Sequence, residues 1–97
     1  MNINIELKEQ IISICRKYDY IEKVILFGSR ARGDNEEKSD IDLAVYSDRS
    51  IMEFIEDIEL NTRTLLEFDF SNMNTKNDEF FKEQVHNDGI VLYERHI

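Results

Sequence analysis

Two short motifs in this sequence contain residue types that could bind phosphate and a divalent metal ion. Gly28 and Ser29 follow the apolar run Val24-Ile25-Leu26-Phe27, and Asp40-Ile41-Asp42 begins after ten intervening residues. Glycine after a buried strand lets the backbone turn sharply, and the free N–H groups at the start of a helical turn bind anions. Carboxylate oxygens are suitable ligands for Mg²⁺, and the phosphates of a substrate usually complete its coordination shell. The motifs therefore predict a phosphate cradle beside a metal-binding carboxylate pair.

The carboxylate pair predicts a strand with one polar face. Asp40 and Asp42 alternate with apolar residues, and side chains two apart on a strand point the same way. Their separation along the strand is roughly 6 to 7 Å. Two carboxylates at that spacing can share one or two divalent cations, and they repel each other when no cation is present.

Positive charge is concentrated beside the cradle in a chain that is acidic as a whole. Arg30 and Arg32 lie between Gly28 and Gly33, whereas the net charge of the chain is -9. That charge disfavours sequence-independent binding to nucleic acid or to an anionic membrane. The arginines instead suit one small polyphosphate. Because Met1–Gln10 lacks a signal-peptide core and no apolar stretch could span a bilayer, we expect a cytoplasmic protein.

The elements that position these motifs follow from apolar periodicity. Helices are predicted over Ile5–Tyr18, over about Ile51–Asn61 with a Ser50/Glu53 capping box, and from Asn77-Asp78-Glu79 to a stop at Gly89. Strands are predicted over Glu22–Phe27, Ser39–Tyr46, Thr64–Phe70 and Ile90–Tyr93. With 97 residues and 41% hydrophobic composition, one domain over residues 1–97 is expected. This order predicts an α+β fold, a small mixed sheet of about four strands with helices packed on one face.

A third carboxylate is expected from the Thr64–Phe70 strand. Glu67 and Asp69 fall on one face of it and are both candidates. If this strand lies beside the Ser39–Tyr46 strand, Asp69 can reach Asp40 and Asp42.

The cysteine and the histidines give no further site. Cys15 is the only cysteine and lies in an apolar segment, so we expect a buried core residue. His86 and His96 have no paired acid or cysteine at metal-ligand spacing, so an exposed or partner-facing position is expected.

The motifs together resemble the signature of minimal nucleotidyltransferase domains in the DNA polymerase beta superfamily. In that family Gly-Ser is separated by ten residues from Asp-x-Asp, as in Phe27–Gly33 followed by Ser39–Leu43 here. Phe68-Asp69-Phe70 resembles the strand of the third carboxylate, and 89–94 resembles the usual C-terminal strand. The resemblance implies a polymerase-beta-like fold that transfers a nucleoside monophosphate from a nucleoside triphosphate to a hydroxyl and releases pyrophosphate.

The resemblance also implies roles for particular residues. Asp40, Asp42 and Asp69 would be catalytic and would ligate Mg²⁺, with two ions expected, whereas Gly28, Ser29, Arg30 and Arg32 would bind the nucleotide. It favours Asp69 over Glu67 as the third carboxylate.

Small members of this family commonly act as antitoxin partners of HEPN-domain ribonuclease toxins and in some cases adenylylate a toxin tyrosine. The resemblance therefore implies transfer of AMP from ATP to a hydroxyl of a HEPN toxin. Two alternatives stay open: an antitoxin that neutralises its toxin by binding alone, and a nucleotidyltransferase whose acceptor is a small molecule.

Overall fold

The computed structural model describes residues 1–95, so His96 lies outside the described residues. The elements are α1 (Ile5–Cys15), β1 (Ile21–Phe27), α2 (Ser29–Arg32), β2 (Ile41–Ser47), α3 (Met52–Asn61), β3 (Phe68–Asn72), α4 (Glu79–Asp88) and β4 (Ile90–Glu94). No helix across this part of the chain combines the length and the apolar character that crossing a bilayer requires.

The strands form one mixed sheet in the order β3-β2-β1-β4. β1 pairs antiparallel with both β2 and β4, whereas β2 pairs parallel with β3. A parallel pair needs a crossover connection, and α3 supplies it between β2 and β3. The predicted small mixed sheet of four strands is confirmed.

Helices lie on both faces of the sheet. The main core joins α1 and α3 to one face, with Ile11 and Phe54 fully buried against Leu26 of β1. Successive strand residues point to opposite faces, so Ile25 points the other way and packs with Val85 of α4. The prediction that helices pack on one face therefore holds for α1 and α3 but not for α4, which brings apolar side chains of its own to the opposite face.

Several element boundaries differ from the predictions. α1 ends at Cys15, and the N–H groups of Lys17 and Tyr18 bond three residues back, as in a tightened last turn. Cys15 is fully buried as expected, and this burial raises the pKa of its thiol to about 12. The capping box is absent from α3: Ile51 is the N-cap, and Ser50 Oγ accepts a hydrogen bond from the Met52 N–H at 3.3 Å.

The third strand starts later than its alternating pattern predicted. β3 begins at Phe68 and continues to Asn72, while the segment around Leu65 precedes it and leaves this side chain fully exposed. The Leu66 N–H donates to Thr64 Oγ1 at 3.0 Å, so a side-chain oxygen there takes the place of a strand partner.

Candidate active site

The predicted phosphate cradle is a single helical turn between two glycines. Gly28 has a φ of 74°, which favours glycine, and its carbonyl accepts hydrogen bonds from the Ala31 and Arg32 N–H groups at 3.1 Å. Gly33 ends the turn with a φ of 86°. The first N–H groups of a helix have no intrahelical partner, so the start of α2 offers donors to an anion.

Gly28 also brings the cradle against the carboxylate pair. A Cβ atom at this position would collide with Oδ2 of Asp42, although the two residues are far apart in sequence. The antiparallel pairing of β1 with β2 causes this proximity, because it places Phe27 opposite Asp42. The two sequence motifs therefore meet at one place in the fold.

Asp42 and Asp69 are direct neighbours on adjacent strands. The parallel pairing of β2 with β3 aligns them, so both side chains point to the same face of the sheet. Burial raises the pKa of Asp42, and the negative charges of Asp69 and then Asp40 raise it further. The three predicted carboxylates therefore lie close enough for Asp40 and Asp69 to influence the charge of Asp42. Asp40 and Asp69 are themselves exposed to solvent.

Glu67 occupies a different position from Asp69. It precedes β3, and its backbone carbonyl accepts a hydrogen bond from the Ile41 N–H at 2.9 Å. Because Asp69 is the residue in register with Asp42, the geometry favours Asp69 as the third carboxylate.

Arg30 does not have the geometry predicted for a phosphate contact. Its side chain is buried, with 6% of the residue exposed. Nε donates to the Ser39 carbonyl, Nη1 to the Asn2 carbonyl and Nη2 to the Glu37 carbonyl, each at 2.9 Å. All three guanidinium nitrogens therefore already donate to the backbone, which disagrees with a role in binding the nucleotide. The sequence alone gave no sign of these carbonyl partners.

Arg32 faces solvent and remains a candidate phosphate contact. Its Nε lies 3.1 Å from Oδ2 of Asp34, and its Nη1 lies 3.7 Å from Oδ2 of Asp88. Asp34 is the main cause of the raised pKa of Arg32, and the Arg32 charge in turn opposes the upward pKa shift of Asp42. Exposed ion pairs contribute little stability, so the guanidinium can exchange a carboxylate for a phosphate.

The carboxylates fit a hard cation, although they do not form a finished cage. Within residues 1–95, no three histidine, cysteine or acidic side chains are gathered closely enough to hold a metal ion by themselves. Their oxygens are nevertheless the ligands that Mg²⁺ prefers, and a cation would relieve the repulsion that raises the Asp42 pKa. The donor set therefore fits a metal ion that arrives with a nucleotide, whose phosphates complete the coordination shell.

A cavity adjoins the carboxylates on the β3 side. It has a volume of about 400 Å³ and is lined by Lys38, Asp40, Leu65, Leu66 and Glu67. Leu65 is fully exposed at its rim, a position that the predicted strand did not reveal. Among the three carboxylates, Asp40 is the one that lines this cavity.

Comparison with known proteins agrees with this geometry. The family model described as polymerase beta, nucleotidyltransferase matches residues 9–97. A protein of Methanocaldococcus jannaschii, provisionally named a protein adenylyltransferase, is 35% identical over 103 residues, which cover 96% of this chain and 100% of that relative.

Solved structures with the same fold include chains from toxin–antitoxin complexes. A toxin–antitoxin structure with AMP-PNP has a chain that matches with a TM-score of 0.68 and 19% identity, covering 91% of this chain and 73% of that chain. A structure of the tri-AMPylated Shewanella oneidensis HEPN toxin with its MNT antitoxin matches with a TM-score of 0.64 and 20% identity, covering 92% of this chain and 71% of that chain. At such identities the likeness establishes the fold. Together with the family match, it leads to one conclusion: this chain belongs to the polymerase beta nucleotidyltransferase family.

Proposed function

We propose that this chain transfers AMP from ATP to a hydroxyl group of a partner protein and releases pyrophosphate. The observation that carries the proposal is the alignment of Asp42 with Asp69 beside the Gly28 turn, because it joins a carboxylate cluster to an anion site. The name of the Methanocaldococcus jannaschii relative supports a protein as the acceptor and ATP as the nucleotide donor.

The proposed partner is a HEPN-family toxin, with a tyrosine hydroxyl as acceptor, in the cytoplasm. The support comes from the proteins that share this fold, since one of them is an MNT antitoxin in complex with a tri-AMPylated HEPN toxin. A second protein with this fold comes from a toxin–antitoxin structure that contains AMP-PNP. In this proposal the chain is the antitoxin, and AMP transfer inactivates the toxin.

The proposed mechanism divides the work between the cradle and the carboxylates. The backbone N–H groups at Gly28 and Ser29 hold the triphosphate, while Asp40, Asp42 and Asp69 hold Mg²⁺. Mg²⁺ held there would offset the negative charge of the phosphates and the charge that develops during the displacement. Asp69, exposed on the edge strand β3, accepts the proton of the acceptor hydroxyl.

The bonds made and broken follow from an in-line displacement. The acceptor oxygen forms a bond to the α-phosphorus, and the bond from that phosphorus to the bridging oxygen of the β-phosphate breaks. Pyrophosphate leaves with the electron pair of that bond. Arg32, the exposed arginine beside the cradle, is placed in this proposal against the negative charge that develops on pyrophosphate.

The test is AMP transfer to a HEPN chain, which the proposal expects to be encoded beside this one. Incubation of both proteins with Mg²⁺ and ATP should add one adenylyl group to each modified site, as measured by intact-protein mass spectrometry. Asp42→Asn should abolish the mass gain, because it removes a metal ligand. Asp48→Asn is the matched control, because it removes an equal charge from an exposed residue paired with Arg49, and it should transfer normally.

Two outcomes would overturn the proposal. Full modification of the toxin by Asp42→Asn would exclude the carboxylate cluster as the metal site. Absence of any mass gain, together with complete neutralisation of the toxin by Asp42→Asn, would show that the chain acts by binding alone.

A further inference from the structure

We propose that Arg30 is a positioning residue that ties the phosphate cradle to the carboxylate strand and so sets the affinity for the metal–nucleotide complex. The inference rests on the proposed function, because it concerns the same site. It assigns Arg30 a role in holding protein backbone, in place of the phosphate contact that its neighbourhood in the sequence suggested.

The contacts of Arg30 join three separate segments. The residue belongs to α2, one position after Ser29, and its guanidinium reaches the carbonyls of Glu37 and Ser39 in the loop that leads to β2. It also reaches the carbonyl of Asn2, and the Asn2 N–H donates in return to the Arg30 carbonyl at 2.8 Å. One buried side chain therefore holds the cradle, the loop and the first residues of the chain together.

The loop segment that Arg30 holds has a defined shape of its own. The Glu36 N–H donates to Ser39 Oγ at 2.9 Å, and the Ser39 N–H donates to the Glu36 carbonyl at 3.2 Å. These reciprocal bonds close a turn over 36–39, and Arg30 donates to two carbonyls of this turn, those of Glu37 and Ser39. Because Ser39 immediately precedes Asp40, fixing the Ser39 carbonyl fixes the backbone from which that carboxylate projects.

The three bonds require the shape of a guanidinium. Its nitrogens form a rigid, planar fork that can donate in three directions at once, whereas a lysine ammonium is a compact charge on a flexible stem. Charge-assisted bonds to carbonyls also compensate for burying the cation. Arg30→Lys should therefore keep the charge and loosen the turn, which separates positioning from simple electrostatics.

The first measurement uses binding, so it does not depend on turnover. With Mg²⁺ and α,β-methylene-ATP, whose α–β bond cannot be broken, the dissociation constant of Arg30→Lys should rise by about tenfold, as expected for a small misplacement of a ligand. Amide hydrogen exchange without nucleotide should accelerate over 34–40 and remain unchanged in β1 and β2. Arg63→Lys is the matched control, because Arg63 is exposed and contacts only Glu6 among the acidic side chains of residues 1–95.

Steady-state kinetics then separate positioning from a merely structural role. A structural role lowers the active fraction, so kcat falls while KM for ATP stays constant. Positioning predicts that KM for ATP, and the Mg²⁺ concentration that gives half-maximal rate, both rise. If Arg30→Lys exchanges faster over 34–40 yet binds the analogue as wild type does, the proposal is wrong.

A second variant covers the case in which Arg30→Lys does not fold. Asn2→Ala leaves Arg30 in place and removes the 2.8 Å bond from Asn2 Nδ2 to Asn35 Oδ1 in the same loop. A two- to threefold weaker binding of the analogue, about 0.4 to 0.7 kcal/mol, supports the proposal. Unchanged binding by Asn2→Ala, with Arg30→Lys unfolded, would show that Arg30 serves folding alone. Failure of the proposed function is distinct, because wild type itself would then transfer no AMP.

Discussion

Asp42 on β2 lies beside Asp69 on β3 because the two strands run parallel with these residues in register. The pairing brings together carboxylates from two parts of the chain that α3 separates. It also generates the repulsion that, after burial, contributes most to the raised pKa of Asp42. The sheet therefore holds like charges together, and this arrangement favours a bound cation.

The contact between Gly28 and Asp42 predicts that Gly28→Ala loses both activity and stability. Its Cβ would collide with Asp42 Oδ2, and its positive φ adds backbone strain of about 1 to 3 kcal/mol. Transfer should fall at least about 100-fold, because the carboxylate must move. Activity assays and urea unfolding measure the two effects.

Gly33→Ala is a matched control for that prediction. Gly33 also has a positive φ, of 86°, but a Cβ there would meet no atom within 4 Å. It should lose less stability, because Gly33 has the left-handed helical conformation that other residues can adopt at a lower cost, and it should keep most of its transfer activity. Equal loss of activity in the two variants would contradict the role given to the Gly28–Asp42 contact.

The alignment of β3 predicts which acid is the third carboxylate. Asp69→Asn should reduce AMP transfer by about 100-fold or more, since it removes both a metal ligand and the proposed proton acceptor. Glu67→Gln should reduce it less than about fivefold, because Glu67 precedes β3 and is not the residue in register with Asp42. Rate measurements at saturating Mg²⁺ distinguish the two variants. A larger loss of rate in Glu67→Gln than in Asp69→Asn would make Glu67 the third carboxylate.

The repulsion among the carboxylates predicts that Mg²⁺ stabilises the fold. Since the pKa of Asp42 is raised in the folded chain, its contribution to stability is present at low pH and is lost as the pH rises through that value. At neutral pH a bound cation should offset the repulsion among the carboxylates. In the presence of a nucleotide, whose phosphates complete the coordination shell, Mg²⁺ at ten times its dissociation constant should add about 1.4 kcal/mol to the free energy of unfolding.

Thermal unfolding at pH 7 in the presence of α,β-methylene-ATP, with and without MgCl₂ at constant ionic strength, measures this gain. Asp42→Asn should unfold at the same temperature with and without Mg²⁺, whereas Asp48→Asn should respond as wild type does. A gain of the same size in Asp42→Asn would place the cation elsewhere on this acidic chain.

A polar network joins α3 to the residues that follow α1. It predicts a pH dependence of stability that is opposite to the one predicted for Asp42. Asp57 accepts hydrogen bonds from Tyr18 Oη and Asn61 Nδ2 and pairs with Lys17 Nζ, each at 2.7 Å. The Lys17 bond and then the Tyr18 bond lower the pKa of Asp57 from 3.8 to about 2. Its stabilisation is therefore present above the unfolded pKa and is lost as the pH falls from about 4 to about 2.

Asp57→Asn tests this network by urea unfolding between pH 2 and 7. The variant should be about 1 to 3 kcal/mol less stable at neutral pH and should lose less stability on acidification than wild type. Glu56→Gln, an exposed neighbour on the same helix, should keep the wild-type pH profile. If Asp57→Asn kept the wild-type pH profile, Asp57 would be excluded as the source of the stability lost on acidification.

The local parts of the site could be predicted from sequence because they depend on residues close together in the chain. The turn at Gly28 follows from backbone geometry, and the alternation of Asp42 with buried Ile41 and Leu43 follows from the period of a strand, although β2 begins only after Asp40. The choice of Asp69 over Glu67 also needed the resemblance to a known family.

The role of Arg30 could not be predicted in this way. Its partners include the carbonyl of Asn2, 28 positions away, and a backbone carbonyl leaves no signature in the identity of a side chain. The position of α4 was missed for a related reason. Apolar periodicity indicates that Val85 is buried, and it does not indicate which face of the sheet buries it.

The cradle at Gly28 and Ser29 is built from backbone N–H groups on a turn of only four residues. Such donors recognise phosphate oxygens, which ATP, GTP, CTP and UTP share. A cradle of this kind would therefore hold all four nucleotides equally and give no preference among them. Selection of a base must be encoded in side chains that the base itself can reach, so substitutions there could change the nucleotide while leaving the transfer machinery intact.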